Sequence, residues 1–215
     1  MRIMLYLLLV CVLFSGAACQ SAYYKTMETF GYHKRDILVD RVSESRDSQA
    51  EAKEQFASAL EQFTEVLNFK GGKLQDKYDK LKNELEISEK RADEVRSNIT
   101  KVEKVSKALF NEWENELEQY SNEKLRTSSE IKLRQTRTSY DRMIVAMKKA
   151  EEKMEPVLVA FRDQVLFLKH NLNAQAIASL QDEFGSIKSD IAVLIKQMEA
   201  SIAEADEFIK SMGIE

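Results

Sequence analysis

Residues 133–168 read LRQTRTSYDRMIVAMKKAEEKMEPVLVAFRDQVLFL, and within them Leu133, Tyr140, Met147, Met154, Phe161 and Leu168 fall at a strict interval of seven. A repeat of that period keeps one apolar stripe on one side of an α-helix, and packing against other helices is what covers it. Ile144, Leu158, Val165 and Leu172 widen the stripe. Pro156 falls in its middle, where it removes a backbone donor and crowds the preceding turn. The heptad phase passes Pro156 unchanged, so the pattern predicts a kink there, with a full reversal at Glu155-Pro156 as the alternative.

The same logic extends in both directions. Downstream, Asn171-Leu172-Asn173 is a polar break without glycine, followed by a last helix whose stripe runs Ile177, Leu180, Phe184, Ile187, Ile191, Leu194, Met198, Ile202 and Ala205 and frays at Met212-Gly213. Upstream, Tyr120-Ser121-Asn122-Glu123 reads as a turn on polar composition. Before it, Leu74, Tyr78, Leu81, Leu85, Ser88, Ala92, Val95, Ile99, Val102, Leu109, Trp113 and Tyr120 form a coiled-coil seam. Lys70-Gly71-Gly72-Lys73 separates that seam from a first helix, since paired glycines stop a helix and allow reversal. The first helix starts near Asp36 and carries Leu38, Val42, Gln49, Ala52, Phe56, Ala59, Phe63 and Val66, a stripe with a weaker middle, opposite Glu51, Lys53 and Glu54.

Helices of about 35 to 50 residues, at about 1.5 Å per residue, are rods about 50 to 75 Å long. None hides its stripe alone, and short connections favour antiparallel neighbours. The expected fold is therefore all-α: an elongated antiparallel helical bundle or coiled coil of four long helices over residues 36–212, or of three if the turn near Asn171 is absent.

The amino terminus has another character. Arg2 precedes an apolar run from Ile3 to Phe14, then Ser15-Gly16-Ala17-Ala18-Cys19. Charge, short apolar core and small residues are the layout of a secretory signal. The run to Ala18 is shorter than the roughly 20 residues of a membrane-spanning helix. A cysteine directly after the small residues resembles a bacterial lipobox, although Gly16 stands where such a box usually has an apolar residue. Residues 1–18 are thus expected to be a lipoprotein signal peptide and Cys19 the lipidated mature residue. Cleavage of an ordinary signal after Gly16-x-Ala18 is the rival. Gln20, which is not the aspartate of inner-membrane retention, implies the outer membrane under that resemblance. Residues 19–35 then form a membrane-proximal tether, with Tyr23, Tyr24, Phe30 and Tyr32 interleaved with Lys25 and followed by His33, Lys34 and Arg35. Rings and cations suit the headgroup layer, with Tyr23, Tyr24, Lys34 and Arg35 as the candidates. Packing of the rings on the end of the bundle is the alternative.

Composition narrows the function. Of two cysteines, Cys11 leaves with the signal, so the mature chain has no intramolecular disulfide. Arg2 leaves too, and 31 basic residues then face 36 acidic ones, a balance unlike the basic face of a nucleic-acid binder. The two histidines, His33 and His170, belong to neither a His-Glu-x-x-His nor a Glu-x-x-His arrangement. Gly71-Gly72 lacks the spacing of a phosphate loop. No cofactor, metal or small-molecule substrate is expected, although the scarcity of histidine leaves a carboxylate site open. Glu112, Glu114, Glu116 and Glu118 read as a solvated face, Trp113 as a core or groove residue, and Met143, Met147 and Met154 as core filler. His170, Asn171 and Asn173 are a candidate interaction cluster, or, as the plainer reading, a turn whose amides cap the next helix.

Four stretches look like a known family: Tyr32-His33-Lys34-Arg35-Asp36-Ile37-Leu38-Val39-Asp40-Arg41-Val42, Leu109-Phe110-Asn111-Glu112-Trp113-Glu114, Met154-Glu155-Pro156-Val157-Leu158, and Asp163 through Ala174. They resemble uncharacterised envelope lipoproteins of Gram-negative bacteria, a helical domain of unknown function. The resemblance implies a helical, lipid-anchored protein and carries no reaction, cofactor or site. The expectation is a non-enzymatic outer-membrane lipoprotein facing the periplasm, a scaffold or interaction module whose partner is another protein or an identical copy. A membrane-surface or membrane-spacing role is the alternative. A cytoplasmic coiled coil tied to DNA maintenance is a lesser one, against which the export signal and acidic balance argue.

Overall fold

The computed structural model describes residues 33–213 apart from 70 and 72. The expectations for the signal, Cys19, Tyr23 and Tyr24 lie outside these residues. Among the described residues four helices follow one another: α1 (Lys34–Leu67), α2 (Leu74–Leu117), α3 (Glu123–His170) and α4 (Ala174–Ser211). No strand occurs among the described residues.

Each helix packs on two neighbours, α1 on α2 and α4, and α3 on α2 and α4. Ion pairs record the direction of three of these four contacts, which together fix the fourth. Arg91 and Lys77 of α2 meet Glu51 and Glu65 of α1, at 2.5 Å each, so the numbering runs in opposite senses. Arg96–Glu155 at 2.7 Å and Arg162–Glu89 at 2.6 Å do the same for α2 and α3. Arg46–Asp206 at 2.9 Å and Lys53–Glu199 at 3.6 Å do it for α1 and α4. The result is an up-down-up-down bundle, the four-helix alternative of the sequence reading.

The reversal lies at Asn171-Leu172-Asn173, and α3 runs through Pro156 without interruption. Pro156 and Glu152, whose carbonyl loses its usual helical donor, are both exposed, so water can satisfy that group. The interval-of-seven stripe of α3 is buried throughout, as are the apolar positions of the α1 stripe. Three details differ from the periodic reading. Helix α1 begins at Lys34 because the His33 carbonyl accepts from the N–H groups of Asp36 and Ile37, which puts Lys34 and Arg35 in its first turn rather than in a tether. Tyr120 lies beyond the end of α2 and is 41% exposed, and Leu172 sits in the last turn between helices, 37% exposed. Both residues occupy connections, where no partner helix faces them.

Candidate functional site

The start of α1, the end of α2, the start of α3 and the end of α4 share one end of the bundle. Lys34 Nζ donates to Glu112 Oε1 at 2.7 Å, which ties the chain's arrival to the last turns of α2. Arg35 is exposed, and its guanidinium lies beside Gly213, where a Cβ would stand 3.6 Å from Nη2. Arg35, Leu109, Trp113, Lys132 and Met212 line a cleft of about 460 Å³ at this end. The Trp113 indole N–H donates to Ser129 Oγ at 2.8 Å and so points along α3. Arg137 stacks 4.9 Å over the Phe110 ring and pairs with Glu114 at 2.8 Å. Two of the four glutamates around Trp113 are therefore ion-pair partners that join helices, while Glu116 and Glu118 remain exposed. The cleft thus sets one indole among side chains of both charges.

The opposite end carries the His170 cluster. Asn173 Oδ1 accepts from the Ala176 N–H at 3.0 Å, capping α4. Asn171 works backwards: its side-chain amide donates to the Phe167 carbonyl at 2.9 Å and its backbone N–H to that of Leu168 at 3.1 Å. His170 is exposed in the last turn of α3, where with Lys169 it faces the negative end of the helix dipole. These amides build a turn. Lys34 and Arg35 lie a bundle's length away, so the structure does not join the two candidate sets.

The core has a polar waist, of which spacing marks Gln49 but not Ser45, Ser48 or Ser201. Gln49 and Ser201 are fully buried, and Gln49 Oε1 and Ser201 Oγ have no hydrogen-bond partner among the described residues. Ser45 Oγ points at Met147 Sδ, 3.7 Å away. Among ionisable groups, Tyr140 is held above the ordinary phenol range, chiefly because burial disfavours its anion, while the Ser106 hydroxyl pulls the other way. Among the described residues no cluster of His, Cys, Asp and Glu suited to a metal occurs, and no helix is long and apolar enough to cross a membrane.

An all-α bundle with turn-building amides at one end and an ion-paired, indole-lined cleft at the other defines the class of protein. Residues 23–212 match the family model described as "Protein of unknown function (DUF2959)", and the chain belongs to that family. No curated protein and no solved structure matches it.

Proposed function

We propose that the protein is a lipid-anchored scaffold of the bacterial envelope, held in the outer membrane through Cys19 and facing the periplasm. It acts without catalysis, by presenting helical faces to a protein partner or to another copy of itself. The observation that carries this reading is the position of Lys34. The chain joins the bundle at the end where α4 also finishes, so an anchor just upstream holds the rod by one tip. The connections after α1 and α3 then project outward by the length of α1, about 50 Å at 1.5 Å per residue. The signal-like residues 1–18 and the Gram-negative lipoprotein resemblance support the anchor. Lys34, a cation considered for lipid headgroups, is held by Glu112 with its side chain 11% exposed, which favours the scaffold over a membrane-surface role.

The test is the intact mass of the mature N-terminal peptide taken from membranes of the producing cell. A diacylglyceryl- and acyl-modified Cys19 is expected. An unmodified Cys19, or a retained Met1, overturns the anchor.

A further inference from the structure

Gly185 sits in the interior of α4, where glycine is less favourable than alanine. Nothing inside the bundle calls for it: a Cβ built on Gly185 meets no atom within 4 Å. The site is open to solvent, and so small a side chain there leaves room for another backbone to approach closely. The residues around it supply the identity of that neighbour. Along the outward face of α4, Ala178, Asp182, Gly185, Ser189, Val193, Lys196 and Ala200 are all exposed, on the side opposite the buried Leu180, Ile187, Ile191, Leu194 and Met198. Their steps are four, three, four, four, three, four, the same read from either end, with Ser189 at the centre.

We propose that this face is the contact between two copies of the chain, packed as an antiparallel α4–α4 pair about a two-fold axis at Ser189. The axis sets Asp182 against Lys196 of the second copy, twice by symmetry. It sets Gly185 against Val193 and Ala178 against Ala200, so small residues meet along about 33 Å of helix. Neither Asp182 nor Lys196 has an ion-pair partner among the described residues of its own chain. A parallel pairing in register would set Asp182 on Asp182 and Lys196 on Lys196, and like charges reject it. Helix α2 offers no equivalent face, because its outward positions carry the charged side chains of Lys82, Glu86, Lys90 and Asp93. The inference rests on the scaffold reading above for its purpose and names that scaffold's partner as a second copy.

The test is sedimentation of the mature chain with Cys19→Ser over a concentration series, alone and with charge changes. A reversible dimer is expected, weakened at least about tenfold by Asp182→Lys or by Lys196→Asp. The double change Asp182→Lys with Lys196→Asp restores it, because the swapped charges meet again across the axis. Circular dichroism checks that helicity is unchanged in each variant. In the same background, Ser189→Cys forms a disulfide-linked dimer with itself, and Ser97→Cys on the exposed face of α2 does not. A monomer at every concentration overturns the proposal, as does a dimer indifferent to the charge changes. The assay needs no lipid, so a monomer whose Cys19 is acylated in the cell overturns self-association alone. A dimer whose Cys19 is unmodified overturns the anchor alone.

Discussion

The core of this bundle is built differently at its ends and at its waist. Towards the α3–α4 turn, the Phe63 ring meets Phe161 at 5.8 Å and Phe184 at 5.6 Å between centroids. Towards the other end, Tyr140 meets Phe110 at 5.4 Å and Phe208 at 6.4 Å. Between these aromatic layers α1 contributes Ser45, Ser48 and Gln49, α3 contributes Met147, and α4 contributes Ser201, all buried. The Arg46–Asp206 and Lys53–Glu199 pairs flank Gln49 and Ser201, which places those two at one level of the bundle. Rigid rings at both ends supply shape and burial. The waist has flexible thioethers and polar groups that lack a full set of partners. The difference teaches that length in a bundle need not mean uniform stability, because the middle can be the softest part.

Truncation at the two levels tests this most directly. Phe161→Ala should lose about 3 to 5 kcal/mol of unfolding free energy, since it deletes a ring packed against Phe63 and leaves a cavity between rigid neighbours. Met147→Ala should fall towards the lower end of about 2 to 5 kcal/mol, because thioether and serine neighbours can settle into the gap. Urea unfolding of both variants measures the contrast, and equal losses would remove the distinction between layers.

The next effect has the opposite sign. Gln49 keeps one weak bond, from Nε2 to the Ser45 carbonyl at 3.4 Å, and leaves its oxygen unpaired. Burying such an acceptor costs about 1 to 3 kcal/mol. Gln49→Leu, of similar volume, should therefore raise stability by about 1 kcal/mol, read as a higher midpoint in the same unfolding curves. A loss instead would mean that water bridges Gln49 and Ser201, and the waist would then be a satisfied polar layer.

Much of this architecture was legible because a helical seam is a one-dimensional pattern. The interval of seven from Leu133 to Leu168 identified a buried face before any partner helix was known. Gln49 fell on the stripe of α1 by spacing alone and is indeed buried, so period outweighed polarity. What spacing does not contain is the register between helices. Lys34 looked like part of a tether because its partner Glu112 is 78 positions away and meets it only once α1 and α2 are aligned. The reversal at Asn171 had the weakest signal, with no glycine and no proline, since two asparagine side chains do by hydrogen bonding what glycine does elsewhere by conformation. The outward symmetry of α4 was invisible for a related reason: it emerges only when the buried face is known and the remaining positions are read by themselves.

That reversal gives a smaller expected effect. Asn173→Ala removes the acceptor for the Ala176 N–H and should cost about 1 kcal/mol, as loss of a helix cap does. Asn122→Ala, which removes the acceptor for Lys124 and Leu125, should cost a similar amount at the other end. Thermal unfolding of the two variants compares the ends of the bundle directly. A far larger loss for Asn173→Ala would mean that the turn itself, and not only its cap, depends on that amide.

The smallest effect appears only at alkaline pH and asks whether the aromatic layers are dry. Tyr140 is 9% exposed, and burial raises the pH at which its hydroxyl ionises in the folded chain. In the unfolded chain the same group releases its proton near pH 10. The folded state therefore holds the proton more tightly. Its contribution to stability is complete below about pH 10 and declines as the pH rises through the higher folded value. Lysines also titrate in this range, so the total loss is not diagnostic, whereas the difference between the wild type and Tyr140→Phe is. Denaturation midpoints followed from about pH 8 to pH 11.5 should fall more steeply for the wild type than for Tyr140→Phe. Parallel curves would mean that water reaches the Tyr140 hydroxyl, and the layer formed with Phe110 and Phe208 would then be no drier than the waist it encloses.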